Sequence, residues 1–224
     1  GFGRATCAPY GKLRGFHQMR IDFEKAQQDI IRAGILLDSR GWVPATGGNL
    51  SVRVDDDSVA ISVSGVHKGH LTTEDVMRVD LRGNAMDGKN PSAETLLHTG
   101  LYALQPNVHA ILHCHPRATV TFSLLHPEVE YVELAGYELL KIYPGIKTHV
   151  VAVRVPIFSN SQDMVALQKQ VDAWYEAHPA TPPVYIVRGH GLTAGASDLN
   201  MARFITEATE EMMAYELAKF GVAS

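Results

Sequence analysis

Cysteine is almost missing. Cys7 and Cys114 are the only two in 224 residues. That excludes a disulfide-built scaffold and makes a reducing cytoplasm the expected compartment. No continuous apolar run reaches the length of about 18 residues that a membrane-spanning helix needs, so none is expected. Neither sign of charge prevails: the formal net charge is -4 and the pI about 6.3. Such a balance leaves no electrostatic footprint for nucleic acid or an anionic membrane. A Gly-Lys-Ser/Thr phosphate loop is missing, and so is a G-x-G-x-x-G dinucleotide fingerprint. There are no internal repeats, and no linker splits the chain. Residues 1–18 contain no acid and four glycines, and lack the apolar core of a secretory signal. They are expected to be an N-terminal extension, either a non-native addition or a poorly ordered arm, with the native start near Met19 and one domain over 19–224.

What is present is the composition of an ordinary globular protein, 46% hydrophobic and 20% charged, with enough length for a self-sufficient core. Phe23, Ala26, Ile30, Ala33 and Leu37 follow helical spacing behind Asp22 as N-cap, and Gly41 ends that helix. Val52 and Val54 alternate with Arg53, Asp55 to Asp57 turn the chain, and Val59 to Val63 return as the second arm of a hairpin. A strand over 76–81, a helix capped by Ser92, and a strand ending at Pro116 follow. Then come a helix over 117–125, an ambiguous stretch over 133–142, a strand over 149–155 and a helix over 163–177. A buried strand over 184–187 and a long helix capped by Ser197 close the chain. Alternating helices and strands predict one three-layer α/β/α domain, and the hairpin predicts a mixed sheet.

The chemistry gathers around Ile111-Leu112-His113-Cys114-His115-Pro116. Alternate strand residues share a face, so His113 and His115 project side by side and Cys114 points away. Two imidazoles so placed form half of a tetrahedral zinc site. Taken alone they are equally at home as two ordinary histidines at a strand end. His190 stands between two glycines just past a buried strand, where it can serve as a third ligand or as a plain turn residue. Glu94 near a helix start can complement the helix dipole, or act as ligand or base. His98 shares its face one turn on and reads as a surface or packing residue. Gly47-Gly48-Asn49, Ser64-Gly65 and Ser92-Ala93 offer backbone N–H groups that can cradle a phosphate without net positive charge.

Taken in order, Thr46-Gly47-Gly48-Asn49-Leu50-Ser51, Ser64-Gly65, Pro91-Ser92-Ala93-Glu94, His113-Cys114-His115 and Gly189-His190-Gly191 resemble the class II aldolase/adducin family, over residues 22–220. The resemblance implies a largely antiparallel mixed sheet and one Zn2+ per subunit on His113, His115 and His190. It implies a phosphorylated small-molecule substrate held by Gly48, Asn49, Ser64, Gly65, Ser92 and Ala93, and a homotetramer with sites near subunit boundaries. Ser64 to Gly69 and Pro91 to Thr95 look most like the dehydratase branch that removes water from 5-methylthioribulose 1-phosphate in methionine salvage. Glu94 matches the aldolases' ligand and base. Tyr137-Glu138-Leu139-Leu140-Lys141 matches the dehydratases' acid–base segment, which puts that role on Glu138 with a carboxyl pKa raised by its leucine neighbours. A sugar-phosphate aldolase or epimerase is the alternative, and a non-catalytic adducin-like module the third reading.

Overall fold

The structure, a computed structural model, describes residues 21–221. The expected extension over 1–18, and Cys7 within it, lie outside the described residues. Eight strands form one sheet in the order β3-β2-β1-β4-β8-β7-β6-β5. They are β1 (Asn49–Arg53), β2 (Ser58–Ser62), β3 (Val76–Asp80), β4 (Ala110–Cys114), β5 (Tyr131–Ala135), β6 (Ala152–Phe158), β7 (Val184–Val187) and β8 (Gly191–Ala196). Every ladder is antiparallel except β6 with β7. The mixed, largely antiparallel sheet is therefore as expected.

Five helices cover it: α1 (Phe23–Ser39), α2 (Thr95–Leu104), α3 (Arg117–Leu125), α4 (Met164–Ala177) and α5 (Leu199–Lys219). Ala26, Ile30, Ala33 and Leu37 of α1, Phe122 of α3 and Met212 and Leu217 of α5 pack with Leu50, Leu112 and Cys114 on one face. Leu97, Leu101 and Tyr102 of α2 and Val171 and Tyr175 of α4 pack with Ile61, Ile111 and Tyr185 on the other. The period-2 alternation of β4 separates the two cores, sending Leu112 and Cys114 one way and Ile111 the other.

Three local expectations need correction. β8 was not expected as a strand. Its residues Gly191-Leu192-Thr193-Ala194-Gly195-Ala196 are buried on both faces, so no polar alternation marks them. Gly195 has no room for a side chain, since a Cβ there would press on Leu101 and Val108, at 3.0–3.3 Å. The strand expected over 149–155 begins at Ala152 and runs through Pro156 to Phe158. Proline is tolerated because the ladder with β5 ends at Pro156 and that with β7 starts at Ile157. The caps differ as well: Asp198, not Ser197, accepts from Met201 N–H at 2.9 Å to start α5. Glu94 rather than Ser92 occupies the N-cap position of α2. The ambiguous stretch is β5 followed by a 3-10 turn, Glu138–Ile142.

Candidate active site

Asn49, Ser51 and His113 lie on the sheet face that looks at α2. Asn49 is the register partner of His113 across the β1–β4 ladder. From the helix, Glu94, His98 and Tyr102 follow at intervals of four residues and so share one face. The two sets meet in a buried chain of hydrogen bonds. Tyr102 O–H and Ser51 Oγ lie 2.8 Å apart, and Ser51 Oγ is 2.7 Å from His98 Nδ1. His98 Nε2 donates to Asn49 Oδ1, and Asn49 Nδ2 donates to Glu94 Oε2. The amide orientation of Asn49 follows from its two neighbours, since a carboxylate can only accept. His98 is therefore no surface residue: it is 1% exposed, and burial pushes its pKa down to about 4.

Beyond Glu94 the three expected histidines converge. His113 Nε2 lies 3.2 Å from His115 Nε2 and 3.3 Å from His190 Nε2. Nitrogens about 2.05 Å from one tetrahedral ion are separated by about 3.4 Å, so the spacing fits a single divalent metal. Among the described residues this is the cluster of side chains able to hold an ion. His113 Nδ1–H donates to Thr193 Oγ1 at 3.1 Å, which leaves Nε2 free to ligate. Burial, together with the neighbouring histidines, pushes His113 down to about 3 against the opposing charge of Glu94. Burial also lowers His115. Neutral imidazole is the form a metal ligand requires.

Glu94 closes the remaining side. Its Oε1 is 3.0 Å from His190 Nε2, and its Oε2 is 3.9 Å from His113 Nε2. Burial opposes its ionisation, but the hydrogen bond from His190, the charges of His113 and His190, and the Asn49 amide outweigh that. The carboxyl lies well below its usual range.

Glycine makes room for this centre. A Cβ on Gly47 would come within 2.8 Å of the His115 ring, and one on Gly191 would meet both Cys114 O and the same ring. The His190 turn is tied down by Arg188, which donates to the carbonyls of Ser123, His126 and Val129 at 2.6–2.8 Å. Gly189 N–H donates to Ser123 Oγ at 2.9 Å. The His115 side is anchored by Glu210, whose carboxylate accepts from Ala118 N–H, Thr119 N–H and Thr119 Oγ1–H at 2.7–2.9 Å. Sequence reasoning missed Arg188 and Glu210, because each acts on a segment more than 50 residues away.

A cavity of about 250 Å³ opens beside the cluster, lined by Gly48, Asn49, Ser64, Gly65, Ser92, Glu94, His115 and His190 among others. Five of the six expected phosphate residues therefore line one space. Ala93 does not; its neighbours Ser92 and Glu94 do. Lys68 also lines the cavity, and no role was expected for it.

Glu138 is not brought to this cavity by its own chain. It stands on the 3-10 turn after β5, at the far edge of the sheet order, with its side chain 68% exposed. The expected upward pKa shift is not found. The hydrogen bond with Lys141, and the Lys141 and His149 charges, lower its carboxyl, because Leu139 is itself exposed and the only buried leucine of the turn is Leu140.

The model of the class II aldolase and adducin N-terminal domain matches residues 28–217. The chain belongs to the class II aldolase/adducin family. Within that family it is 44% identical over 202 residues to the methylthioribulose-1-phosphate dehydratase of Methylococcus capsulatus, covering 90% of this chain and 97% of the relative. With that of Marinobacter nauticus it shares 46% over 197 residues, covering 87% and 94%. The family fold is also shared with the L-fuculose-1-phosphate aldolase of Thermus thermophilus, at a TM-score of 0.67 and 22% identity over 90% of this chain and all of that one. A sugar-phosphate aldolase from Thermotoga maritima superposes at 0.68 with 17% identity, over 90% and 98%.

Proposed function

We propose that this chain is a zinc-dependent methylthioribulose-1-phosphate dehydratase, converting 5-methylthioribulose 1-phosphate to 2,3-diketo-5-methylthiopentyl 1-phosphate and water. The observation that carries the metal-enzyme part of the reading is the triangle of His113, His115 and His190 nitrogens opening onto a glycine- and serine-lined cavity. The choice of dehydratase over aldolase rests on the relatives. Support comes from relatives of that name at 44–46% identity across nearly the whole chain.

Zn2+ held by the three histidines would, when bound, supply Lewis acidity toward the substrate's carbonyl and hydroxyl oxygens. Glu94 stays ionised beside it, held by Asn49, and so is a poor acid for a leaving hydroxyl. Asn49, Ser64, Gly65 and Ser92 hold the phosphate end and orient the carbons. Glu138 takes the proton from C3 and protonates the C4 hydroxyl as it leaves as water; the remaining enol ketonises.

Since Glu138 does not reach the cavity of its own chain, it serves that of a neighbouring subunit in a homotetramer. Its exposure supports this, as do Leu139 and Val150, apolar residues that stand 37% and 59% exposed next to Glu138 and its partner His149. Methionine salvage in the cytoplasm is the setting this activity implies.

An aldolase could use the same metal cluster but would break C3–C4. Product analysis decides between them. Zinc-loaded protein and 5-methylthioribulose 1-phosphate should yield the diketone phosphate, whereas an aldehyde with dihydroxyacetone phosphate would make the chain an aldolase. Recovery of unchanged substrate at full zinc occupancy would favour the non-catalytic, adducin-like reading.

A further inference from the structure

Lys68 is 1% exposed, among the largest fully buried side chains of the protein. Its Nζ donates to two backbone carbonyls, Thr46 O at 3.0 Å and Val66 O at 2.6 Å. Neither carries a charge, and among the described residues no carboxylate forms an ion pair with it. Burial lowers the Lys68 pKa against the weaker attraction of the Glu94 and Asp75 charges; Glu94 is already engaged by His190 and Asn49, and Asp75 by the Thr72 cap. A buried ammonium is costly unless a counter-ion accompanies it, and an ammonium has three N–H donors, of which two are used here.

The placement is rigid. The 3-10 turn Lys68–His70 presses on α1 so closely that a Cβ on Gly34 would come within 2.1 Å of Lys68 O. A Cβ on Gly69 would collide with Asp38. The backbone of the turn is thus packed tightly against α1. Lys68 therefore points between the Thr46 and Val66 loops, lining the same cavity as Gly48, Ser64, Gly65 and Ser92.

We infer that Lys68 is the fixed positive charge of the pocket and that its missing counter-ion is the dianionic phosphate of the substrate. This rests on the reading of a phosphorylated substrate given above. It adds a division of the cavity. The phosphate is drawn to the Lys68 loops and kept from the Glu94 carboxylate, which leaves the carbonyl end at the histidines. Specificity for a phosphorylated over an unphosphorylated ketose then depends on one buried lysine as well as on neutral backbone donors.

The test uses zinc-loaded protein, K68M and K68R, with inorganic phosphate as the probe. Phosphate at constant ionic strength should raise the melting temperature of wild type but not of K68M, with zinc content unchanged. In steady-state kinetics K68M should raise KM for the phosphorylated substrate by about 10-fold or more, with a much smaller effect on kcat, and K68R should recover part of the loss. Equal protection of wild type and K68M, or no protection of wild type, would overturn the inference. Protection lost in K68M from a protein that does not dehydrate the methylthio substrate would uphold Lys68 and overturn only the substrate reading. Should K68M fail to fold, wild type labelled with 15N in lysine answers instead. Its slowly exchanging ammonium signal, identified by its absence in K68R, should move on addition of phosphate. An unmoved signal would refute the assignment.

Discussion

Replacing His98 by Gln tests the buried relay that orients Asn49 and Glu94. His98 has an ordinary pKa of 6.5 and a folded value of about 4, set by burial against the weaker pull of Glu94. A histidine depressed on folding contributes stability that is fully present above about pH 6.5 and is lost as pH falls toward 4. Linkage between those two values removes about 2 kcal/mol between pH 7 and pH 5 from this one residue. In a chain of this size that amounts to about 6 °C in melting temperature. Glutamine keeps a donor for Asn49 Oδ1 and an acceptor for Ser51 but cannot titrate. Melting both proteins across that range in saturating zinc makes the titration of the metal cluster common to both. The variant should start somewhat less stable at pH 7, since its hydrogen bonds are longer or misaligned. Its melting temperature should then fall by about 6 °C less than wild type on the way to pH 5. Parallel curves would show that His98 does not titrate between these limits and would refute the reasoning.

Glu138→Gln should keep zinc and the fold but lose roughly 100-fold or more in kcat; near-normal turnover, measured beside an inactive, zinc-loaded Glu94→Gln, would move the acid–base role to Glu94. Glu210→Ala leaves two N–H groups at the start of α3 and the Thr119 hydroxyl without their acceptor, and should cost about 2 kcal/mol in urea unfolding. A loss below about 0.5 kcal/mol would mean water replaces the carboxylate. Gly47→Ala puts a methyl against the His115 ring and should weaken zinc binding by about 10-fold or more in a chelator competition, with little change in secondary structure. Unaltered affinity would show that the ring has room to move.

The elements that were legible in the sequence are those whose signal is local. The helical spacing of Ala26, Ile30, Ala33 and Leu37, the His-x-His alternation before Pro116 and the Gly-flanked His190 all translate directly into geometry. β8 was hidden because burial on both faces erases alternation, and Gly195 is kept bare by Leu101 of α2. No role was expected for Lys68, and His98 was left open between a surface and a packing residue, because nothing local says that a polar side chain turns inward. Only the approach of α1 to the 68–70 turn, and of α2 to β1, puts them inside. Glu138 was readable as a residue type in a familiar segment. Its ionisation was not, since Lys141 and His149 lie close enough to override the leucines around it.

The central claim is that His113, His115 and His190 hold the metal on which turnover depends. Zinc per chain in wild type and His190→Ala, measured by mass spectrometry of the purified proteins alongside turnover of 5-methylthioribulose 1-phosphate, tests it most directly. The account predicts one zinc per chain and turnover in wild type, and in the variant a loss of both that cannot be restored by added zinc at wild-type saturation. Full zinc occupancy in His190→Ala, or undiminished turnover by wild-type protein stripped of metal, would contradict it.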